Sequence, residues 1–328
     1  MKVSLNGKRI CMKRIHSELI SSRQSPLLNY RFERKYKKGL HAHMFLQDFC
    51  SSFSIGLAPF NSYKDFYGVV PSDDLLKKYL LFEDYAFFSY SFENILNTIM
   101  HYLVLNGRVY LEIVKWTNTS ENLHGIQFIP ICVKKKFPLR KSYYFSYKSP
   151  EGKVKFSVSK RAIVSFDLKD MGFNRRFFLR MINNLSRIDL FSVSNLTLDK
   201  SLEGIYNFTE HQKRIDFLLL KYTRKIFWLG RDYSNQHLSE SYLLYRQLYY
   251  TILQQYFLDY ILKQLNEGLE PLRQEFGFKG KITTLIPKID YKKHFEEYYS
   301  GKINASQLGD IIFKKKSLCT DYTNDSAN

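Results

Sequence analysis

The run "YLVLNGRVYLEIVKW", Tyr102 to Trp116, sets the tightest local constraint in the chain. Helix-spaced apolar residues lead to Asn106-Gly107, a turn signal, and an alternating strand pattern begins at the next residue. A chain that passes from helix to strand in two residues has to lay both elements inside one compact layer. On the strand, Arg108, Tyr110, Glu112 and Val114 are expected to face one way, with Val109, Leu111 and Ile113 facing the other. Upstream, Phe92, Ile95, Leu96, Ile99 and Leu103 recur at helical spacing. The pattern predicts a helix capped by Ser91, with Glu93 in its first turn and Gly107 as its end.

Beyond that strand the text stays β-rich. "GIQFIPICV", "SYYFSY", "KVKFSV" and "AIVSFDL" read as strands, separated by turns at Asn118, Gly125, Pro138 and the "SPEG" of 149–152. An earlier strand is expected at "NYRFERKY". After Asp170 the pattern turns helical. "NFTEHQKRIDFLLLKYTRKIFWLG" opens with Thr209 and Gln212 at capping-box spacing and is expected to close at Gly230. From Ser239 to Gly268, Tyr245, Leu248, Tyr249, Ile252, Tyr256, Tyr260 and Leu265 keep a helical period, predicting a helix of roughly 40 Å. "GKITTLI" reads as a strand, and "DYKKHFEEYYSGKINASQLGDIIF" as two short helices split at Gly301. The class is α+β, with a β-rich middle block and long helices in the C-terminal half. It divides into a basic region over 1–90, a helix and β-rich body over 91–170, a long-helix region over 171–313, and a polar tail over 314–328 expected to be disordered.

Tyr and Phe, at 25 and 27 residues, outnumber Gly and Pro together, so a large core is expected in one domain or two closely packed ones. Cys11, Cys50, Cys132 and Cys319 are far apart and form no CxxC pair, which predicts buried free thiols. The N-terminal stretch lacks the apolar core of a secretory signal, and apolar runs such as "FLLL" are too short for a membrane span. A soluble, intracellular protein without a membrane partner is the expectation. The net charge of +19 favours polyanions, whether DNA, RNA or a membrane surface. The alternative is a basic composition inherited from a Lys- and Asn-rich proteome.

Few motifs carry chemistry. "GFKGK" at 277–281 lacks phosphate-loop spacing, no GxSxG is present, and "DLKDMGF" holds two acids with no partner placed by the sequence. "ERKYKKGLHAHMFLQ" sets Glu33, His41 and His43 close together, and an alternating strand would turn both histidines to one face as ligands for a divalent metal. This spacing resembles the His-hydrophobic-His signature of rolling-circle replication initiators. That resemblance implies a metal-dependent endonuclease nicking single-stranded DNA with a tyrosine nucleophile; the alternative is a pair of solvent-exposed or core-satisfied histidines. The family places its tyrosine shortly downstream, whereas Tyr222 with Lys225 lies far away. Two basic clusters interleave cations with aromatics: Lys134, Lys135, Lys136, Arg140 and Lys141, then Arg175 and Arg176 in "FNRRFFLR". Such a pattern suits phosphate contact with stacking, or equally a solvated strand edge and a snorkelling helix face.

Over residues 90–313 the order of segments resembles phage portal proteins, the head–tail connectors. The matching residues are Leu105, Gly107, Val109, Tyr110, Leu111 and Glu112 for a helix–turn–"YLE" strand. They are followed by the "IP" strand Ile126–Ile131, the Tyr-rich hairpin Tyr143–Val158, "AIVSFDL", "ILKQLNEGLEPL" and, more loosely, "YYSGKINASQLGDII". Asn106-Gly107 reverses the usual Gly-Asn order. The resemblance implies a portal-like α+β body and a closed homo-oligomeric ring, typically of twelve copies, at one capsid vertex. Double-stranded DNA would be packaged and ejected through its channel. The implied partners are the terminase ATPase and the major capsid protein, in the virion and, during assembly, the host cytoplasm. It also implies no catalysis and no cofactor, since the ATPase supplies the energy, and a long helix Ser239–Gly268 at the channel wall or between subunits.

Overall fold

In the computed structural model the described residues are 20–21, 36–50, 67–80, 88–117, 123–131, 142–149, 152–194, 208–230, 239–284 and 290–311. In chain order they form β1 (Ile20–Ser21), α1 (Leu40–Cys50), β2 (Tyr67–Val70), α2 (Asp74–Leu80), α3 (Phe88–Asn106), β3 (Arg108–Thr117) and β4 (Leu123–Ile131). Then follow β5 (Ser142–Ser149), β6 (Gly152–Ser159), β7 (Ile163–Asp167), α4 (Phe177–Ser194), α5 (Phe208–Tyr222), α6 (Glu240–Phe276), β8 (Lys281–Thr284) and α7 (Tyr291–Tyr299). A last helical segment covers 305–311. The class is α+β. The expected strand at "NYRFERKY" lies outside the described residues, Tyr36 apart, as do the tail and the cysteines other than Cys50.

The chain forms two compact units, each assembled from separated stretches. One takes residues 65–175 and 260–286 together with the N-terminal stretch, and the other takes 35–64, 176–259 and the C-terminal stretch. In the first, β3 is the centre of an antiparallel sheet. β4 pairs along one edge, while β7 and β1 share the other, β7 against Arg108–Glu112 and β1 against Trp116–Thr117. β5 and β6 form a separate hairpin, paired from Ser142↔Ser159 to Ser149↔Gly152. The alternation expected for β3 is present, yet Val109, Leu111 and Ile113 are buried on one side and Tyr110, Glu112 and Val114 on the other. A strand covered on both faces reads as continuous apolar text rather than as an apolar/polar alternation.

α3 starts at Phe88, upstream of Ser91, so Ser91 lies inside the helix and is not its cap. Its stripe is as expected: Phe92, Leu96, Ile99 and Leu103 are buried. Gly107 ends it with φ +73°, its N–H donating to the Leu103 carbonyl at 2.8 Å. The second half of α6 packs on the face of β3 and β7 that carries Leu111 and Val164. Gly268 is the notch that allows this: a Cβ there would lie 2.2 Å from Val164 Cγ2. The helix therefore continues through Gly268 and Pro271 to Phe276, ended by Gly277 at φ +76°. Its 37 residues span about 55 Å rather than 40 Å. Asn266 on α6 mimics a strand neighbour, exchanging hydrogen bonds of 2.8 and 2.9 Å with the backbone of Ile282.

Asp73 closes the first unit across more than two hundred residues. Its Oδ1 accepts the Leu76 N–H at 3.0 Å and caps α2, while Oδ2 accepts the N–H groups of Lys279 and Gly280 at 2.6 and 2.9 Å. These bonds set the turn from which β8 pairs with β2, Val70 opposite Lys281. Burial alone would raise the Asp73 carboxyl. The N–H bonds from Gly280, Leu76, Lys279 and Leu75 outweigh it and hold the group below its ordinary value.

The second unit is built on a cluster of packed aromatic rings. Phe49 contacts Phe45, Phe178 and Phe257, each pair with ring centroids 5.3 Å apart, and Trp228 meets Phe45 edge-on. The Trp228 indole N–H donates to Asp48 at 3.1 Å. Cys50 is buried and free in α1, as expected, and burial pushes its thiol up to about 12. α5 ends at Tyr222, well before Gly230, because the following chain folds back over the helix end. The Thr223 hydroxyl hydrogen-bonds the carbonyls of Leu219 and Trp228. Arg246, 2% exposed, fixes that reversal through Thr223 Oγ1 at 2.9 Å and the Trp228 carbonyl at 3.2 Å, with its guanidinium over the Phe227 and Tyr242 rings.

Two stability outcomes follow. Asp73→Ala lowers unfolding free energy by about 1–2 kcal/mol at neutral pH. Because the folded carboxyl lies low, this contribution is complete above the unfolded aspartate value of about 3.9 and disappears as pH falls through the folded value. Urea titrations of the two proteins should therefore converge in acid. Arg246→Ala costs about 3 kcal/mol, since it removes a charged donor from buried carbonyls at a helix end. A two-state urea titration measures it, and a change below about 0.5 kcal/mol would contradict the assigned role.

Candidate nucleic-acid interface

Of the two basic clusters, Lys134, Lys135, Lys136, Arg140 and Lys141 lie outside the described residues. The structure separates Arg175 from Arg176. Arg175 turns inward onto Asp167, its Nη2 at 2.5 Å and its Nε at 2.9 and 3.1 Å from the two carboxylate oxygens. Asp167 also holds Arg108, its direct cross-strand partner, by a two-pronged ion pair through Nε and Nη2. These are the acid and the partners that "DLKDMGF" by itself left unassigned.

The rest of the cluster fixes this carboxylate in place. The Lys169 N–H donates to Asp167 Oδ1 at 3.1 Å and the Asp167 N–H donates to Tyr260 Oη at 3.0 Å. Tyr260 in turn donates to Asp170 Oδ2 at 3.1 Å. Burial, first of all, and the neighbouring Asp170 push the Tyr260 phenol up to about 12, against the pull of the Asp167 backbone bond. Burial works against the charge on Arg108. Its bonds to Asp167 and its proximity to Tyr110, whose hydroxyl accepts from Nη1 at 2.9 Å, outweigh that and raise its pKa. Two guanidinium groups on one carboxylate form an interlock more than a ligand pocket. Arg175 is thus a structural residue, and its backbone explains Gly107: a Cβ at 107 would sit 1.9 Å from the Arg175 carbonyl oxygen.

Arg176 is exposed, just ahead of α4. On that helix Phe178, Met181, Ile182, Leu185 and Ile188 are buried, and Arg180 and Arg187 point away from them into solvent. The cluster "FNRRFFLR" therefore splits: Arg175 serves the interlock, whereas Arg176 and Arg180 are exposed. Arg187 belongs with them. Its signal, an arginine seven residues after Arg180 with the apolar stripe between, was present in the sequence but also fits any solvated helix face.

The expectation for His41 and His43 is corrected. Both lie on α1, a helix and not a strand. At 100° per residue, positions i and i+2 diverge by about 200°, so the two imidazoles leave opposite sides of the helix. Ala42 between them is buried, His41 is half-buried and His43 is exposed. Glu33 lies outside the described residues, and among the described residues no cluster of three or more His, Cys, Asp or Glu is arranged to hold a metal ion. No helix among the described residues is long and apolar enough to cross a membrane.

No protein-family model matches the chain, and no curated protein matches it significantly. The interlock has a direct check. Asp167→Asn leaves two guanidinium groups facing a neutral amide and lowers stability by about 2–3 kcal/mol, read as a lower urea midpoint with an unchanged slope. A midpoint equal to that of the parent protein would remove Asp167 from its role as the hub.

Proposed function

We propose that this chain is a portal-like, non-catalytic structural subunit that assembles into a ring conducting double-stranded DNA through one capsid vertex, with a terminase motor and the major capsid protein as partners. One observation carries the reading. The main segments of the resemblance fall on described elements: α3, the Gly107 turn, β3, the "IP" strand β4, the β5–β6 hairpin and β7, then, after α4 and α5, α6. A helix that hands over to a doubly covered strand at Gly107 supplies a stiff subunit body of the kind that head-to-tail ring contacts require. The excess of basic residues suits a surface passed by a polyanion, and the exposed arginines of α4 add to it.

The rival reading, a metal-dependent replication initiator, draws no support from α1, where the two histidines diverge. Imaging of the purified protein by negative-stain electron microscopy, alongside light scattering, tests the proposal. The expected result is closed rings with a central hole and a mass many times that of the 39.1 kDa chain. A chain that stays monomeric and nicks single-stranded origin DNA with manganese, with cutting lost in His43→Ala, would overturn it.

A further inference from the structure

We propose that the outward faces of α4 and α5 form one docking surface for the phosphodiester backbone of duplex DNA. The two helices pack against each other in the second unit. Lys225 Nζ lies 6.0 Å from the centre of the Phe177 ring, which brings the chain just after α5 to the start of α4, so the pair is antiparallel. On α4, Arg180 and Arg187 are seven residues apart, within about 20° of one radial direction and about 10 Å apart along the axis. On α5 the buried Asp216 and Leu219 mark the inner side, and the opposite arc exposes Lys213, Arg214, Phe217 and Lys221. Arg224 and Lys225 continue the exposed basic run past the helix end.

Charge complementarity identifies the occupant. Arg180 and Arg187 on α4 and Lys213 and Lys221 on α5 are exposed, as are Arg224 and Lys225 just past the end of α5. Among the described side chains on those two arcs, Glu210 in the first turn of α5 is the one exposed acid. Asp216 is turned inward and accepts from Gln212 at 3.1 Å. Rows of cations a helix-packing distance apart, about 8–10 Å, suit phosphates more than a carboxylate-bearing peptide, which would need matched individual pairs. Duplex is favoured over single strand by Phe217. Among the described side chains of this surface it is the one large exposed ring, 63% exposed, and Lys221 Nζ lies 5.9 Å from its centre. Single-strand binders present several open rings for successive bases, and here the one ring already carries a cation.

The surface adds to the ring reading but does not depend on it, since it lies within one unit of one chain. Fluorescence anisotropy of the full chain with a labelled duplex of arbitrary sequence, about 30 base pairs long, over a salt series reads it directly. Arg180→Ala/Arg187→Ala and Lys213→Ala/Lys221→Ala are each expected to weaken binding about tenfold and to flatten the logarithmic salt slope by about 1.8. Lys292→Ala/Lys293→Ala on α7 removes the same charge from another exposed place and is expected to change affinity less than about twofold. Equal losses in all three variants would mean that net charge alone binds DNA, and would overturn the proposal. So would tighter binding of a single strand of equal length that Phe217→Ala abolishes, or no duplex binding by the parent chain at low salt. A monomer that binds duplex through this face would reject the ring and keep the surface; a ring whose binding ignores these variants would do the reverse.

Discussion

The Asp167 carboxylate, held between Arg108 and Arg175, is the interaction on which the first unit depends. It joins the first residue of β3 to the last of β7 and ties both to the loop that leads into α4. Gly107 can approach the Arg175 backbone only because it lacks a Cβ, and the same residue ends α3 in the left-handed region. Helix end, strand start and loop position are thus one packing solution.

The second unit solves a related problem without a carboxylate. Past the end of α5 the chain folds back through Thr223–Trp228: the Thr223 hydroxyl meets the Leu219 carbonyl, and a buried arginine from α6 holds Thr223 and the Trp228 carbonyl. The guanidinium there is stabilised by carbonyl dipoles at a helix C-terminus and by the faces of Phe227 and Tyr242. Beside it the Phe45, Phe49, Phe178 and Phe257 rings fill a core with few breakers, which is where much of the aromatic content is used. The exposed faces of α4 and α5 carry Arg180, Arg187, Lys213 and Lys221.

Strong local patterns were legible. The stripe Phe92–Leu103, the strands β3 to β8, the two short helices split at Gly301 and the α+β class all follow from periodicity and turn residues, and the structure has them. Boundaries were less so. Gly230 and Gly268 each looked like a helix end, but Gly268 serves close packing on Val164 and α5 had already ended at Tyr222. Along α6, Tyr256 fits the apolar period yet is exposed, while its neighbour Phe257 is buried. A long helix that enters two successive cores shifts its buried face, and a single period cannot describe it. For the candidate interface, the sequence marked Arg175 and Arg176 alike. Only the position of Asp167 tells them apart.

The sequence alone determined what local physics controls: the strongly periodic helices and strands, the obligatory turn at Gly107, the free buried thiol at Cys50 and the excess positive charge. Tertiary structure decided what depends on residues far apart. It interleaved the chain into two units, because β2 pairs with β8 and Asp73 reaches Lys279 and Gly280 across more than two hundred positions. It placed His41 and His43 on a helix, because α1 buries Ala42, Phe45 and Phe49 as one stripe. It also drew Arg175 inward while leaving Arg180 and Arg187 in solvent. An arginine's role depends on whether a carboxylate stands within reach, and no pattern of neighbours along the chain encodes that distance.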